Sequence, residues 1–285
     1  MSGSEIQALM ALLDDPDEGV YLHVRSKLLE QGESILPLLR SRSSDDEDCA
    51  VTQSRLNELM NGVLEQQAHA GLMKWAVDDK PSILEGAFWL ESVCGFGGDR
   101  TAGEAIFKQL RRDVWLELNE ELTALEQIRI LNHVLFSNWG FSGIPLSAQQ
   151  AKHALPASVL SERSGGPLGL GILYWALAES LSISLHPISV SGLFFLAYVD
   201  PTWDHSTGTP PIWFYINPFQ DGEMLSPEEL QDLAEDLDAN WSPALIGVPQ
   251  MMQQIGRVVI HLCEGAGQTL TAQRITRLLQ GICQT

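Results

Sequence analysis

Acidic and imidazole side chains come close together at one place in this sequence. Asp200, Asp204 and His205 share a loop, and such groups can form an acid–base pair or bind a metal ion. A metal would need a third or fourth ligand, and none stands at ligand spacing. We therefore interpret this stretch as a polar surface loop and expect no metal or cofactor. His186 precedes Pro187 at a strand start, which favours an exposed or hydrogen-bonded histidine over a catalyst.

The cysteines are a second possible source of chemistry. Cys49, Cys94, Cys263 and Cys283 contain no C-x-x-C pair, and in a cytosolic protein such residues are more often buried apolar side chains than disulfides or metal ligands. Cys94 precedes the turn Gly95–Gly98, where a thiol at a helix end could be reactive. No histidine lies near it in sequence, so we interpret it as a core residue.

A glycine cluster at Gly165, Gly166, Gly169 and Gly171 suggests a phosphate-binding loop at first sight. It fits neither G-x-x-x-x-G-K-[ST], because no lysine follows, nor G-x-G-x-x-G after a strand. The cluster instead predicts a tight turn into a closely packed helix.

Composition limits the class of protein further. The chain has 285 residues, 45% of them hydrophobic, and 37 acidic against 17 basic side chains give a net charge of -20. This charge opposes binding to nucleic acid and to anionic membranes, whereas a basic partner would suit it. The first five residues lack a basic segment, and no apolar run reaches the roughly 18 residues of a membrane span. We expect a cytoplasmic protein.

The elements are predicted to be mainly helical. Residues 4–40 form short amphipathic helices whose spacing resembles a HEAT-type helical hairpin, and a long helix extends to about residue 76. Further helices are predicted at the following ranges: 83–94, 101–118, 121–138, 168–181, 226–237 and 247–284. Three apolar runs predict strands: 185–190, 193–199 and 212–216.

This order indicates an α+β fold with a small antiparallel sheet in the middle. We expect an N-terminal helical region at 1–80, a core at 81–225 and C-terminal helices at 226–285.

Five segments in the middle of the chain follow one another in a recognisable order. They are Leu131–Phe136, Gly140–Gly143, Val159–Pro167, Leu170–Leu181 and Ile216–Phe219. Together they resemble the SirB family of bacterial transglutaminase-like proteins, in which L-N-x-V-L-F and G-F-x-G precede V-L-x-R-x-G-x-P, an apolar helix, a P-G-H-F strand and a D-P-F strand. The resemblance is best over residues 82–225, about half of the chain.

The resemblance implies a transglutaminase-like core with a nucleophile at the start of the apolar helix, a histidine on the next strand and an aspartate on the strand after it. This chain has Gly169, Leu193 and Asn217 at those positions. None of the three can perform the corresponding step, while the glycine and proline residues around them remain. We therefore expect a pseudoenzyme.

A remnant cleft lined by Trp175, Trp203, Trp213 and Phe194 is the expected binding site. The first functional hypothesis is a non-catalytic protein that binds a protein or peptide, or serves as a scaffold. One alternative is a cysteine- or metal-dependent hydrolase whose site has moved to Cys94 or to the loop of Asp204 and His205. Another is a structural subunit that forms a homo-oligomer through its C-terminal helices.

Overall fold

The computed structural model describes residues 3–43, 50–96, 99–203, 208–237 and 244–282. The chain divides into two compact units, Met1–Lys74 and Trp75–Thr285. In the described part, the first unit is built from four helices: α1 (Gly3–Ala11), α2 (Glu18–Leu29), α3 (Leu36–Ser43) and α4 (Ala50–Ala76), the last of which extends two residues past the division.

The first unit folds around aliphatic side chains that recur at helical spacing. Helix α2 begins at Asp17, whose carboxylate accepts hydrogen bonds from the N–H groups of Gly19 and Val20 and so caps the helix. The following residues are fully or almost fully buried in one cluster: Leu13, Val24, Leu28, Ile35, Leu39, Leu56, Leu59 and Val63. The predicted HEAT-type pairing of these helices stays a prediction.

The second unit contains the remaining described elements. Its helices are α5 (Ile83–Cys94), α6 (Arg100–Glu117), α7 (Ala124–Asn132), α8 (Pro156–Glu162), α9 (Pro167–Ser180), α10 (Pro227–Asp236), α11 (Val248–Gly265) and α12 (Thr269–Ile282). Its strands are β1 (Ser142–Gly143), β2 (Ser164–Gly165), β3 (Leu185–Val190), β4 (Leu193–Val199), β5 (Ile212–Asn217) and β6 (Glu223–Leu225). A π-helical segment, His133–Asn138, continues α7.

Helix α9 lies at the centre of this unit. Every residue from Gly169 to Ala178 is buried, which is the pattern of a helix covered on all sides rather than along one stripe. Helices α5, α6 and α8 contact it, as do strands β3 and β4.

The sheet has the antiparallel order β3-β4-β5-β6, and a separate parallel pair joins β1 to β2. Successive side chains of a strand point to opposite faces. Thus Phe194 packs on α9 at Gly171, whereas Phe195 packs with Leu230 and Ala234 of α10. The sheet is therefore covered by one helix on each face.

The predicted α+β class, mainly helical with a small central antiparallel sheet, is confirmed. The structure corrects two details: α7 changes to π-helix at His133, and the C-terminal region 247–284 is two helices separated at residues 266–268. The domain limits at 80 and 225 stay predictions, although the helices after residue 226 share a unit with the sheet. Within the described ranges, no helix is long and apolar enough to cross a membrane.

Candidate functional site

The start of α9 is held by a short backbone pairing. Strands β1 and β2 align Ser142 with Ser164 and Gly143 with Gly165. Two backbone bonds complete the pairing, from the N–H of Ser142 to the carbonyl of Arg163 at 3.1 Å and from the N–H of Ile144 to Gly165 at 2.9 Å. The structure therefore brings the G-F-x-G segment against the turn that leads into α9.

Gly169 lies in the first turn of α9, where the resemblance puts a nucleophile. A β-carbon at this position would stand closer to the backbone carbonyl oxygen of His153 than van der Waals contact allows, and 3.0 Å from the Cγ2 of Val159. The His153 carbonyl is fixed, because it accepts a hydrogen bond of 2.9 Å from the N–H of Gly166. Position 169 has no space for a side chain.

His153 is a residue that the sequence analysis missed. It is 8% exposed, and its Nδ1 accepts a hydrogen bond of 3.0 Å from the N–H of Gln150. Its Nε2 lies 3.8 Å from Glu162, which also binds Lys152 at 2.6 Å. Burial, together with the charge of Lys152, lowers the pKa of His153, although Glu162 opposes the shift. No motif marks this imidazole, so only its packing reveals it.

Leu193 is the first residue of β4 and is 40% exposed. The adjacent Phe194 is the side chain that reaches α9, and its ring occupies the position of a β-carbon at Gly171. Because side chains alternate along a strand, Leu193 points to the face opposite α9. The Leu193 side chain therefore does not face the helix that carries Gly169.

Asn217 ends β5 and its Oδ1 accepts a hydrogen bond of 3.2 Å from the N–H of Phe219. The turn that follows is bound to Asn132, whose Nδ2 donates to the carbonyl of Gly222 at 2.8 Å. The hydroxyl of Tyr174 on α9 donates to the Oδ1 of Asn132 at 2.7 Å. The side chains of Asn132 and Tyr174 thus link the end of α7, helix α9 and the turn after β5 through hydrogen bonds.

Glu91 is a second residue that the sequence did not reveal. It lies on the apolar helix α5 and is 3% exposed. Its carboxylate accepts hydrogen bonds from the N–H of Ala157 at 2.6 Å, the N–H of Ser158 at 2.8 Å and the Ser158 hydroxyl at 2.6 Å. Burial raises the pKa of Glu91, and these hydrogen bonds oppose the shift. Glu91 therefore caps α8, whose own first residues supply no side-chain cap.

Cys94 and the loop of Asp204 and His205 are the two alternative locations for an active site. Cys94 is 5% exposed, and burial, with smaller contributions from Cys263 and Glu91, raises the pKa of its thiol well above the ordinary value. Asp200 accepts hydrogen bonds from Thr202, whereas Asp204 and His205 lie outside the described residues. Across the described ranges, no three His, Cys, Asp or Glu side chains are grouped so that they could hold a metal ion.

The four aromatic residues predicted to line a groove lie in different surroundings. Trp175 is 5% exposed within α9, and Phe194 packs on the same helix. Trp203 packs with the cluster on the α10 face of the sheet. Trp213 is 48% exposed and stacks on Tyr198 with 5.5 Å between ring centroids.

A cavity of about 490 Å³, which we call the Trp175 cavity, opens where α9 turns into β3. Ser182 in its wall has a φ of 59°, an uncommon backbone conformation for a serine. Its lining residues are Trp175, Glu179, Ser182, Ile183, Ser184, Leu185, His186, Pro201, Ile246, Gly247 and Val248.

A second cavity, of about 340 Å³, lies between α6, α8 and the π-helical segment. Arg163, with a φ of 51°, stands over the Trp139 ring at 5.2 Å, and the Trp139 indole N–H donates to Asp113 at 3.1 Å. Arg163 and Asp113 both line this cavity, which makes it more polar than the Trp175 cavity.

The sequence comparison shows which family this helix-centred core and its small sheet belong to. A family model described as the transglutaminase-like superfamily matches residues 103–260, more than half of the chain. The protein belongs to this superfamily.

Several curated relatives extend the comparison. A UPF0162 protein of Vibrio cholerae is 28% identical over 153 residues, which cover 54% of this chain and 53% of the relative. F-box only protein 21 of Mus musculus is 24% identical over 210 residues, covering 65% of this chain and 32% of the relative, and that of Homo sapiens is 25% identical over 207 residues, with 65% and 32% covered. The chain thus spans about a third to a half of these relatives. No solved structure gives a significant match.

Proposed function

We propose that this protein is a non-catalytic, SirB-type member of the superfamily and that it acts by binding a protein or peptide. The observation that carries the proposal is the crowding at Gly169, where the His153 carbonyl occupies the space that a nucleophile's side chain would need. An enzyme of this class requires a thiol or hydroxyl at the start of α9 with room to reach a substrate.

Asn217 supports the same interpretation, because an amide cannot stabilise an imidazolium by charge. Leu193 has no group that can transfer a proton, but it points away from α9 and adds no support. A nucleophile relocated to Cys94 is disfavoured as well, because burial favours the neutral thiol over the reactive thiolate.

The binding function is supported by the Trp175 cavity. Its volume of about 490 Å³ lies within the range of about 300–1,000 Å³ that is typical of ligand sites. Apolar side chains, a tryptophan and a few polar groups converge there, as in most binding pockets. Trp175 is the one of the four predicted aromatic residues that lines it.

Activity and binding are tested separately. The purified protein is assayed for hydrolysis of peptides and thioesters and for transfer of an amine to peptide glutamine, beside the Cys94→Ala variant. We expect both proteins to give the rate of buffer alone. Activity that is present in the parent protein and absent in Cys94→Ala would overturn the non-catalytic assignment.

For binding, peptides selected from a displayed library are titrated while the indole N–H resonances are followed. We expect the Trp175 resonance to shift, and Trp175→Phe to weaken binding. Trp115→Phe serves as the matched control, because Trp115 is 60% exposed on α6 and does not line the cavity. The binding function would be contradicted if both variants lost peptide affinity equally, or if the library yielded no peptide that binds.

A further inference from the structure

The wall of the Trp175 cavity combines an apolar surface with one acidic group. Ile183, Leu185, Ile246 and Val248 supply aliphatic surface, and Trp175 supplies an indole. Such a wall suits a long side chain with a hydrocarbon stem, because the stem leaves water when it lies along the aliphatic groups.

Glu179 is the acidic group of this cavity. In the described part of the chain, no hydrogen bond or ion pair reaches its carboxylate. Glu179 is exposed at the mouth of the cavity, and partial burial against the apolar wall raises the pKa of its carboxyl group. Arg111 lies nearby, but its Nε donates to the backbone carbonyl of Ser180 at 3.1 Å and not to Glu179.

The position of Glu179 on its helix is also electrostatically unfavourable. It is the second-last residue of α9, where the helix dipole places partial negative charge. A carboxylate at this end adds negative potential to the mouth of the cavity. The protein's net charge of -20 has the same sign and does not cancel this potential. A bound cation would relieve both effects.

We propose that the Trp175 cavity binds the side chain of a lysine or arginine in a partner peptide. The ammonium or guanidinium group pairs with the Glu179 carboxylate, and the methylene stem lies along Ile183 and Val248. The Trp175 indole adds attraction for the cation through its π face. This inference deepens the proposed peptide-binding function and rests on it.

Charge and shape select against other side chains. An aspartate or glutamate would bring a second carboxylate to Glu179, and like charges at short distance repel. A short aliphatic side chain would bury less apolar surface than a lysine stem and would not pair with the Glu179 carboxylate. His186, which also lines the cavity, already has an interaction partner within the protein.

The test uses short capped peptides, acetyl-Gly-Xaa-Gly-amide, with lysine, arginine, norleucine, citrulline or glutamate at the variable position. Norleucine and citrulline have nearly the shape of lysine and arginine without the charge. Binding to the full chain is measured from the Trp175 indole N–H resonance. Because Glu179 is exposed, we expect the lysine and arginine peptides to bind about two- to fivefold more tightly than their neutral counterparts.

Two variants complete the experiment. Glu179→Gln should weaken binding of the lysine peptide about two- to fivefold and remove the difference between lysine and norleucine. Glu117→Gln removes the same charge from an exposed residue of α6 and should change binding by less than about twofold.

The outcomes separate the two proposals. Equal binding of the charged and neutral peptides, or an unchanged affinity in Glu179→Gln, overturns the basic-side-chain inference and leaves the peptide-binding function standing. If none of these peptides moves the Trp175 resonance, the inference fails. If library peptides also fail to bind, the proposed function fails with it.

Discussion

The backbone carbonyl oxygen of His153 stands where a side chain at Gly169 would begin. Two separate segments, the turn at residues 151–154 and the first turn of α9, meet there at a distance that only a glycine permits. The same carbonyl accepts a hydrogen bond from Gly166, so it cannot move without disturbing the entry into α9.

Gly169→Ala should destabilise the protein. The added methyl group must displace backbone, and overpacking of this kind typically costs about 1–3 kcal/mol, which exceeds the helix-propensity gain of about 1 kcal/mol. Unfolding in urea, followed by circular dichroism, measures the change.

Gly265→Ala is the matched control, since Gly265 is also helical but has open space around it. We expect it to be neutral or up to about 1 kcal/mol more stable than the parent protein. If Gly169→Ala proved as stable as Gly265→Ala, the crowding argument would be wrong.

Glu91→Gln should destabilise the second unit by about 1–3 kcal/mol. Glutamine has one acceptor oxygen, so at least one of the three donors from Ala157 and Ser158 would lose its partner in the core. Glu85→Gln on the exposed side of the same helix should cost about 0.3–1 kcal/mol at most. Thermal unfolding of both variants gives the comparison, and equal losses would contradict the capping role.

The free energy of unfolding should also depend on pH through Glu91. Because its pKa in the folded protein is raised above the ordinary 4.5, the folded state holds this proton more tightly than the unfolded state. The Glu91 contribution to stability is therefore complete below pH 4.5 and declines as pH rises through the raised pKa. The difference in unfolding free energy between the parent protein and Glu91→Gln should shrink over that range. A difference that grows with pH would reverse the assigned direction.

Gly222→Ala should cost more than Gly267→Ala. Both glycines have nearly the same positive φ, 73° and 74°, so both substitutions carry the same backbone strain of about 1–2 kcal/mol. A methyl group at Gly222 would also collide with the Asn132 side chain, while Gly267 has open space. The excess loss in urea unfolding, about 1–3 kcal/mol, reports the cost of displacing the Asn132 side chain from its packed position. Equal losses would show that Asn132 moves aside without cost.

Cys94 should resist alkylation in the native protein. Its burial and raised pKa keep the thiol neutral and covered, so iodoacetamide at pH 8 should modify it at least about tenfold more slowly than in urea. Peptide mass mapping over time follows the site directly. Rapid and selective labelling of native Cys94 would favour the alternative of an enzyme with a relocated nucleophile.

Much of the fold could be predicted from local signals. Helix α5 begins after Ser82, which caps it, and ends at Gly95 with a positive φ, so its predicted range of 83–94 agrees with the structure. The turn Ser191–Gly192 joins strands β3 and β4, and the predicted limits of both strands agree with the structure. The π-helical segment has no such signal, because its sequence is also compatible with a regular helix.

The candidate site was predicted only in part. The sequence names Gly169 as a position without a nucleophile, but it cannot show that the His153 carbonyl fills the space, since the two are brought together by tertiary packing. Glu91 was hidden for the same reason: its hydrogen-bond donors lie 66 and 67 residues further along the chain.

The buried course of α9 also limits which substitutions the start of this helix can accept. A mutation that gave residue 169 a reactive side chain would meet backbone at once, and one at residue 171 would meet the Phe194 ring. The 151–154 turn would have to shift before a side chain at residue 169 could be accommodated. Substitutions at residues 169 and 171 are therefore constrained by packing against neighbouring segments and not by helix propensity.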